Sequence, residues 1–155
     1  MILKDTFTVD APLDAVWAFL QDIPRLSACV PGAEDVAAVE PDVYRGRLKA
    51  RVGPLAVAFG GQITILERVP PKRLTALVEG DDKSSASFVK AKFTGHLASV
   101  EGGTQLTYEV DMALRGRLAQ FGFAVFQGTA KKMAAEFARR LQAALSEPGR
   151  AAPES

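Results

Sequence analysis

The chain has 155 residues, 48% of them hydrophobic and 24% charged, with a formal net charge of +1; this suits one domain burying about 70% of its unfolded surface without metal or disulfide staples, and gives no global field for nucleic acid. The single cysteine, Cys29, excludes an internal disulfide and a cysteine-based zinc site. The N-terminus MILKDTFTVDAP lacks a signal-peptide run, and no window nears the roughly 20 apolar residues of a spanning helix, so the expected compartment is the cytoplasm.

Ile2–Val9 reads as a first strand, with Leu3, Phe7 and Val9 on one face. Asp10 is placed as an N-cap, with Pro12 in the first turn of a helix whose Val16, Trp17, Phe19 and Leu20 fall at helical spacing. Ile23-Pro24 breaks that helix, PRLSACV forms a second short one, and Pro31-Gly32 ends it. Residues 33–39 form a short edge strand. In VYRGRLKARV, Tyr44, Gly46, Leu48, Ala50 and Val52 share one face, while Arg45, Arg47, Lys49 and Arg51 share the other. After Gly53-Pro54, the strand Leu55–Val69 puts Leu55, Val57, Phe59, Gly61, Ile63 and Ile65 on one side. A strand over 73–79 and the polar loop GDDKSS lead to a strand over 85–98, with Ser87, Val89, Ala91, Phe93, Gly95 and Leu97 inward. The turn Glu101-Gly102-Gly103 returns the chain through 105–114, with Leu106, Tyr108, Val110, Met112 and Leu114 on one face.

One long helix is expected over 118–146, about 43 Å at 1.5 Å per residue. It opens on RGRLAQFGFAVF, where Gly122 in a helix interior costs about 1 kcal/mol relative to alanine. PGRAAPES is expected to be a disordered polar tail, which leaves a domain at 1–147 and a tail at 148–155. Every strand carries one apolar face, and only the long helix is large enough to cover the sheet. The expected fold class is α+β, a helix-grip fold. A curved antiparallel sheet of six to seven strands wraps round the C-terminal helix, with two short helices after the first strand.

The inward positions mix large residues with Gly46, Ala50, Gly61, Ser87, Ala91 and Gly95. Either the glycines serve curvature in a filled core, or they leave volume for an apolar ligand. The candidate pocket consists of Leu26, Tyr44, Phe59, Phe93, Tyr108, Val110, Phe121, Gly122, Val125 and Phe126. In it, Leu118, Phe121, Gly122, Val125 and Phe126 make one helical stripe. Gly122 either leaves room for a flat ring or packs closely against the short helices. The polar groups available as lining are Tyr44, Tyr108, Ser87, Gln120 and Gln127. His96 falls on an outward parity, acids fall mainly in turns or outward, and there is no nucleotide-binding glycine motif. No catalytic or metal-ligating residue is assigned.

On the outer face, setting Leu97 opposite Thr104 pairs Lys92 with Glu109 and Lys90 with Asp111. Setting Val52 opposite Leu55 leaves Arg45, Arg47, Lys49 and Arg51 facing Gln62, Gly60, Ala58 and Ala56. These bases are either a solvated face paired with Glu34 or Asp35, or a docking stripe for an acidic partner or anionic membrane. Phe123 points away from the pocket and is a candidate contact for a membrane or partner.

PGAE at 31–34, LTYEVD at 106–111, GRLAQFG at 116–122 and FARRL at 137–141 together resemble the CoxG family of carbon monoxide dehydrogenase subunits. That family belongs to the polyketide cyclase/START-like (SRPBCC) superfamily, and the likeness covers about residues 1–146. The resemblance implies an accessory protein of molybdenum hydroxylases of the carbon monoxide dehydrogenase and xanthine oxidase type. Such a protein recruits the enzyme to the inner face of the membrane or passes a quinone. It implies no tightly bound cofactor, a quinone or lipid-like ligand, peripheral membrane contact and no nucleic acid. Relatives are implied to carry a longer C-terminal extension with an apolar membrane segment, where this chain has PGRAAPES. Two rivals accompany this reading. One is a docking or assembly module with a filled core; the other is a cyclase- or hydrolase-like enzyme of the same superfamily.

Overall fold

The computed structural model describes residues 1–146; the tail expected at 148–155 lies outside them. The strands are β1 (Ile2–Val9), β2 (Ala33–Glu40), β3 (Val43–Val52), β4 (Leu55–Val69), β5 (Arg73–Asp82), β6 (Ser87–Val100) and β7 (Gly103–Arg115). The helices are α1 (Leu13–Gln21), α2 (Ile23–Ser27) and α3 (Phe123–Ser146), with 3-10 turns at Lys83–Ser85 and Arg117–Gln120. The seven strands form one antiparallel sheet in the order β1-β7-β6-β5-β4-β3-β2. This is the expected α+β helix-grip arrangement. Only β1 is displaced from sequence order, because the α1–α2 excursion carries the chain from one sheet edge to the other.

The two-residue alternation settles which side faces α3. From β3 to β7 the inward and outward parities are those the sequence predicts. The β3–β4 hairpin keeps the expected register, with Val52 opposite Leu55 and Arg47 opposite Gly60. The β6–β7 register differs from expectation by two residues. Val100 pairs with Gly103, so Glu101 and Gly102 alone make the turn, and Leu97 stands opposite Leu106. Lys92 therefore faces Asp111 and Lys90 faces Ala113. Glu109 instead meets Lys4 of β1, at 3.8 Å. At the sheet edge, β2 is irregular, with register breaks between Glu34 and Ala37 and between Ala38 and Glu40.

Two local expectations about helix starts are corrected. Pro12, not Asp10, precedes α1, and no side chain caps it. Asp10 uses its backbone N–H on the Gln142 side-chain oxygen, at 2.6 Å. The long helix also begins later than position 118. Phe121 is extended (φ −81°, ψ 148°), and the Gly122 carbonyl accepts the first bonds of α3 from Val125 at 3.1 Å and Phe126 at 3.4 Å. Gly122 is thus a helix N-cap rather than an interior residue, and glycine is tolerated there.

The buried side chains fall into three clusters. The first joins Val9, Val16, Phe19, Leu106, Leu141 and Leu145, where β1, α1 and the last turns of α3 meet. The second joins Ile23, Ile65, Leu74 and Ala76, beneath α2. The third joins Val52, Val57, Leu118 and Phe126, at the tip of the β3–β4 hairpin. Helix α3 is fastened at both ends, while its middle presents only half-buried Ala130, Met133 and Ala134.

Candidate ligand site

The concave face of the sheet is not sealed. Tyr44, Ile63, Val78, Phe93, Tyr108 and Val110 all have inward parity, yet all remain half-buried. Side chains that face inward and stay solvent-accessible are not fully covered by packing against the helix.

The ten predicted pocket residues separate into three places. Leu26, Tyr44 and Phe93 pack on the cluster beneath α2. Phe93 stacks on Tyr108, with ring centroids 6.1 Å apart and planes 19° from parallel. Val110 is the cross-strand neighbour of both Phe93 and Leu3. These five lie on the inner side of the sheet or under α2. Phe59, Phe121 and Phe126 belong instead to the cluster at the hairpin tip. Gly122 and Val125 are exposed, so the expected single stripe from Leu118 to Phe126 does not exist. The 3-10 turn and the extended Phe121 destroy the helical spacing it assumed. Val125 and Phe121 lie instead over the β3–β4 turn, 3.4 Å and 3.7 Å from where a Cβ on Gly53 would be.

The small inward residues do not supply the volume expected of them. A Cβ on Gly46 would meet the Val36 side chain at 2.7 Å, and one on Gly61 would meet the Glu79 carbonyl oxygen at 2.5 Å. The Phe93 ring lies 3.0 Å from the Cβ position of Gly95. These glycines are places of close approach, already occupied by neighbours.

Ser87 is also removed from the lining. It is fully buried, 2.8 Å from the Ser85 hydroxyl, and accepts the Leu118 N–H at 3.0 Å. Ser85 in turn donates to Asp82 at 2.7 Å. The Ser85 hydroxyl, with help from Ser84 and the Ala58 N–H, holds the Asp82 carboxyl below its ordinary range. This buried chain ties β5, β6 and β4 to the turn that delivers α3. Gln120 and Gln127 are exposed. The polar groups left facing the interior are the hydroxyls of Tyr44 and Tyr108. Among the described residues, neither makes a hydrogen bond. Burial, together with the nearby charge of Asp5, raises the Tyr108 pKa above its ordinary value, so the phenol remains a donor at neutral pH.

The sequence pattern does not single out Asp5. It shares the inward parity of Leu3 and Phe7 and pairs with Tyr108 across β1–β7, yet it is exposed. Its Oδ1 accepts the Thr6 N–H at 2.8 Å. Strict apolar/polar alternation on an edge strand is the signal that flags it, as the interruption on the inner face.

Of the four outward bases on β3, two are paired. Arg47 meets Glu34 at 3.4 Å and Asp35 at 3.9 Å, and Lys49 meets Glu34 at 3.5 Å. Arg45 and Arg51 have no ion pair among the described residues. The outer side of β2–β4 carries a shallow groove of about 530 Å³ lined by Asp35, Arg45, Arg47, Gly60 and Asp81. It lies on the opposite side of the sheet from the two tyrosines. Phe123 is exposed, as expected. Among the described residues there is no cluster of metal-ligating side chains and no helix long and apolar enough to cross a membrane.

The family model for CoxG, a carbon monoxide dehydrogenase subunit, matches residues 6–146. No curated protein matches the sequence. Among solved structures, a conserved protein from Geobacillus kaustophilus is similar, at TM-score 0.84 and 24% identity, over 92% of this chain and 93% of that one. A protein from Rhodobacter sphaeroides is similar at TM-score 0.68 and 23% identity, over 94% and 91% of the two chains. One from Thermus thermophilus is similar at TM-score 0.67 and 17% identity, over 94% and 100%. At these identities the structural likeness establishes the fold.

Proposed function

Since the chain belongs to the CoxG family of carbon monoxide dehydrogenase subunits, we propose that it is an accessory protein of a molybdenum hydroxylase of that type and that it binds an apolar, carbonyl-bearing molecule between sheet and helix. A quinone or a quinone-like lipid fits this description. The observation that carries the reading is the pair of inward tyrosine hydroxyls, Tyr44 and Tyr108, without hydrogen-bond partners among the described residues, in an otherwise apolar, half-buried surface. An apolar pocket with a few unpartnered donors suits a ligand that is mostly hydrocarbon with a few acceptors. Phe93, stacked on Tyr108, offers a face for a flat ring. The role is binding and hand-off rather than catalysis, and cytoplasmic placement with membrane access goes with it.

Val110→Trp tests the site. Val110 sits beside Phe93 and Leu3, so an indole there would occupy the proposed space. The purified protein, examined by native mass spectrometry and organic extraction after incubation with quinones, is expected to take one up. The Val110→Trp variant is expected to fold, by circular dichroism, and to take up none. Unchanged uptake in that variant would remove the pocket.

A further inference from the structure

The inner face of the sheet carries one charge that the fold does not use. On β1 and on β3 to β7, the charged side chains of inner parity are Asp5, Arg68 and Asp82. Arg68 is held by Asp42 and by the Gln21 side-chain oxygen, each at 2.8 Å. Asp82 is buried and accepts the Ser85 hydroxyl at 2.7 Å. Asp5 makes no ion pair among the described residues, and its one hydrogen bond there is from the adjacent Thr6 N–H.

The setting of Asp5 is apolar. Leu3 and Phe7 flank it along β1, and Tyr108 is its cross-strand neighbour. Phe7 meets Phe137 of α3 edge-on, with ring centroids 6.0 Å apart. Over the two turns before Phe137 the helix carries half-buried Ala130, Met133 and Ala134. Lys131 and Lys132 on those turns are exposed, and neither forms an ion pair with Asp5. Asp5 stays exposed between a buried Leu3 and a half-buried Phe7. Its carboxylate thus keeps its water, yet its charge reaches the interior: after burial, it is the second cause that raises the Tyr108 pKa.

We infer that Asp5 is a specificity residue of the interior: a negative charge beside Tyr108 confines the site to apolar ligands whose polar end is uncharged, and turns away fatty acids and other carboxylate-headed lipids. This selectivity rests on the carrier reading and narrows what that site accepts. A carboxylate head seeking the Tyr108 donor would stand against Asp5, and like charges at contact distance repel even through water. A carbonyl or ester head meets no such repulsion, and a hydroxyl head can donate to Asp5. The one inward base on these strands, Arg68, is already paired and offers no counter-charge. An inward charge on an edge strand also discourages strand addition. That role alone would leave ligand choice untouched and show itself in the oligomeric state.

The test compares decanoate with methyl decanoate, which share a chain and a carbonyl and differ in charge. Equilibrium dialysis of the full chain at neutral pH and low salt is expected to show tighter binding of the ester, by about tenfold. Asp5→Asn keeps the side-chain shape and the oxygen that accepts the Thr6 N–H. It should tighten decanoate binding severalfold and leave the ester unchanged, while Asp5→Lys should reverse the order. Far-UV circular dichroism and gel filtration check fold and oligomeric state. A readout without ligand uses Tyr44→Phe, which leaves Tyr108 as the single tyrosine. In that background Asp5→Asn should lower the Tyr108 pKa, followed by tyrosinate absorbance. Equal binding of acid and ester, or a ratio unmoved by Asp5→Asn, would overturn the selectivity and leave the carrier standing. An unmoved ratio with a new oligomer would assign Asp5 to edge protection instead. Binding of neither probe would also overturn it; whether the carrier falls too is read separately, from quinone uptake by the unaltered protein.

Discussion

Ser87 illustrates how one small polar side chain on an inward position can be structural. Its hydroxyl satisfies the Leu118 N–H inside the protein. Ser87→Ala therefore leaves a buried donor unpaired and is expected to cost about 1–3 kcal/mol, read from the urea midpoint. Two carboxyls nearby in kind, though not in space, set the acid limit of stability. Asp82 is held low by the Ser85 hydroxyl, and Glu136 is held down to about 2 by hydrogen bonds from Arg139 and Arg140. Their folded pKa values lie below the unfolded ones, so their contribution is complete above the unfolded carboxylate range and is lost as pH falls through the folded values. Urea midpoints are expected to fall from about pH 4 toward pH 2, and less steeply in Glu136→Gln. An equal slope in that variant would show that Glu136 does not contribute.

At the scale of elements, Gly122 separates two accounts of the same residue by the sign of an effect. In a helix interior, Gly122→Ala would stabilise by about 1 kcal/mol. At an N-cap, alanine is worse than glycine and serine is better. Gly122→Ala is thus expected to lower the melting temperature, and Gly122→Ser to raise it. The open space around the position, with nothing within 4 Å of its Cβ site, keeps sterics out of the comparison. The strands were legible because alternation is local: VYRGRLKARV and its partner declare their faces and, through the Gly53-Pro54 turn, their register. The β6–β7 register was not, since two adjacent glycines at 102 and 103 leave the turn residues ambiguous. The start of α3 was hidden because a 3-10 turn and an α-helix show similar short-range apolar spacing around Leu118 and Phe121.

For the whole molecule, a net charge of +1 conceals a division. Bases gather where the β3–β4 turn, the start of β6 and the end of β7 meet the start of α3, while the other end mixes Asp10, Asp14, Glu67 and Glu101 with Arg68, Lys72 and Arg73. No count over the sequence reveals that, because it depends on three strand ends and a helix start meeting in space. The fold class was readable from the order of elements, and the family from GRLAQFG and its companions. The site was readable only in part. Strand parity put Tyr44, Phe93, Tyr108 and Val110 on the inner face, where Phe93 stacks on Tyr108 and neighbours Val110. Phe59 follows the same parity, and Phe121 and Phe126 rest on a helical spacing that the 3-10 turn breaks; packing puts all three at the hairpin tip.

The fastening of α3 is unequal along its length. Leu141 and Leu145 are buried at its far end, where Arg140 reaches the Ala28 carbonyl at 3.4 Å and Gln142 bonds to Asp10. At its near end the buried anchor is Phe126. Local opening costs least where fixed contacts are fewest. Local opening of the helix is therefore expected to begin at its first turns, with faster amide hydrogen exchange there than over residues 141–145. If the proposed ligand is bound, lifting of those first turns from the hairpin tip is the route by which a bulky guest would enter or leave without global unfolding.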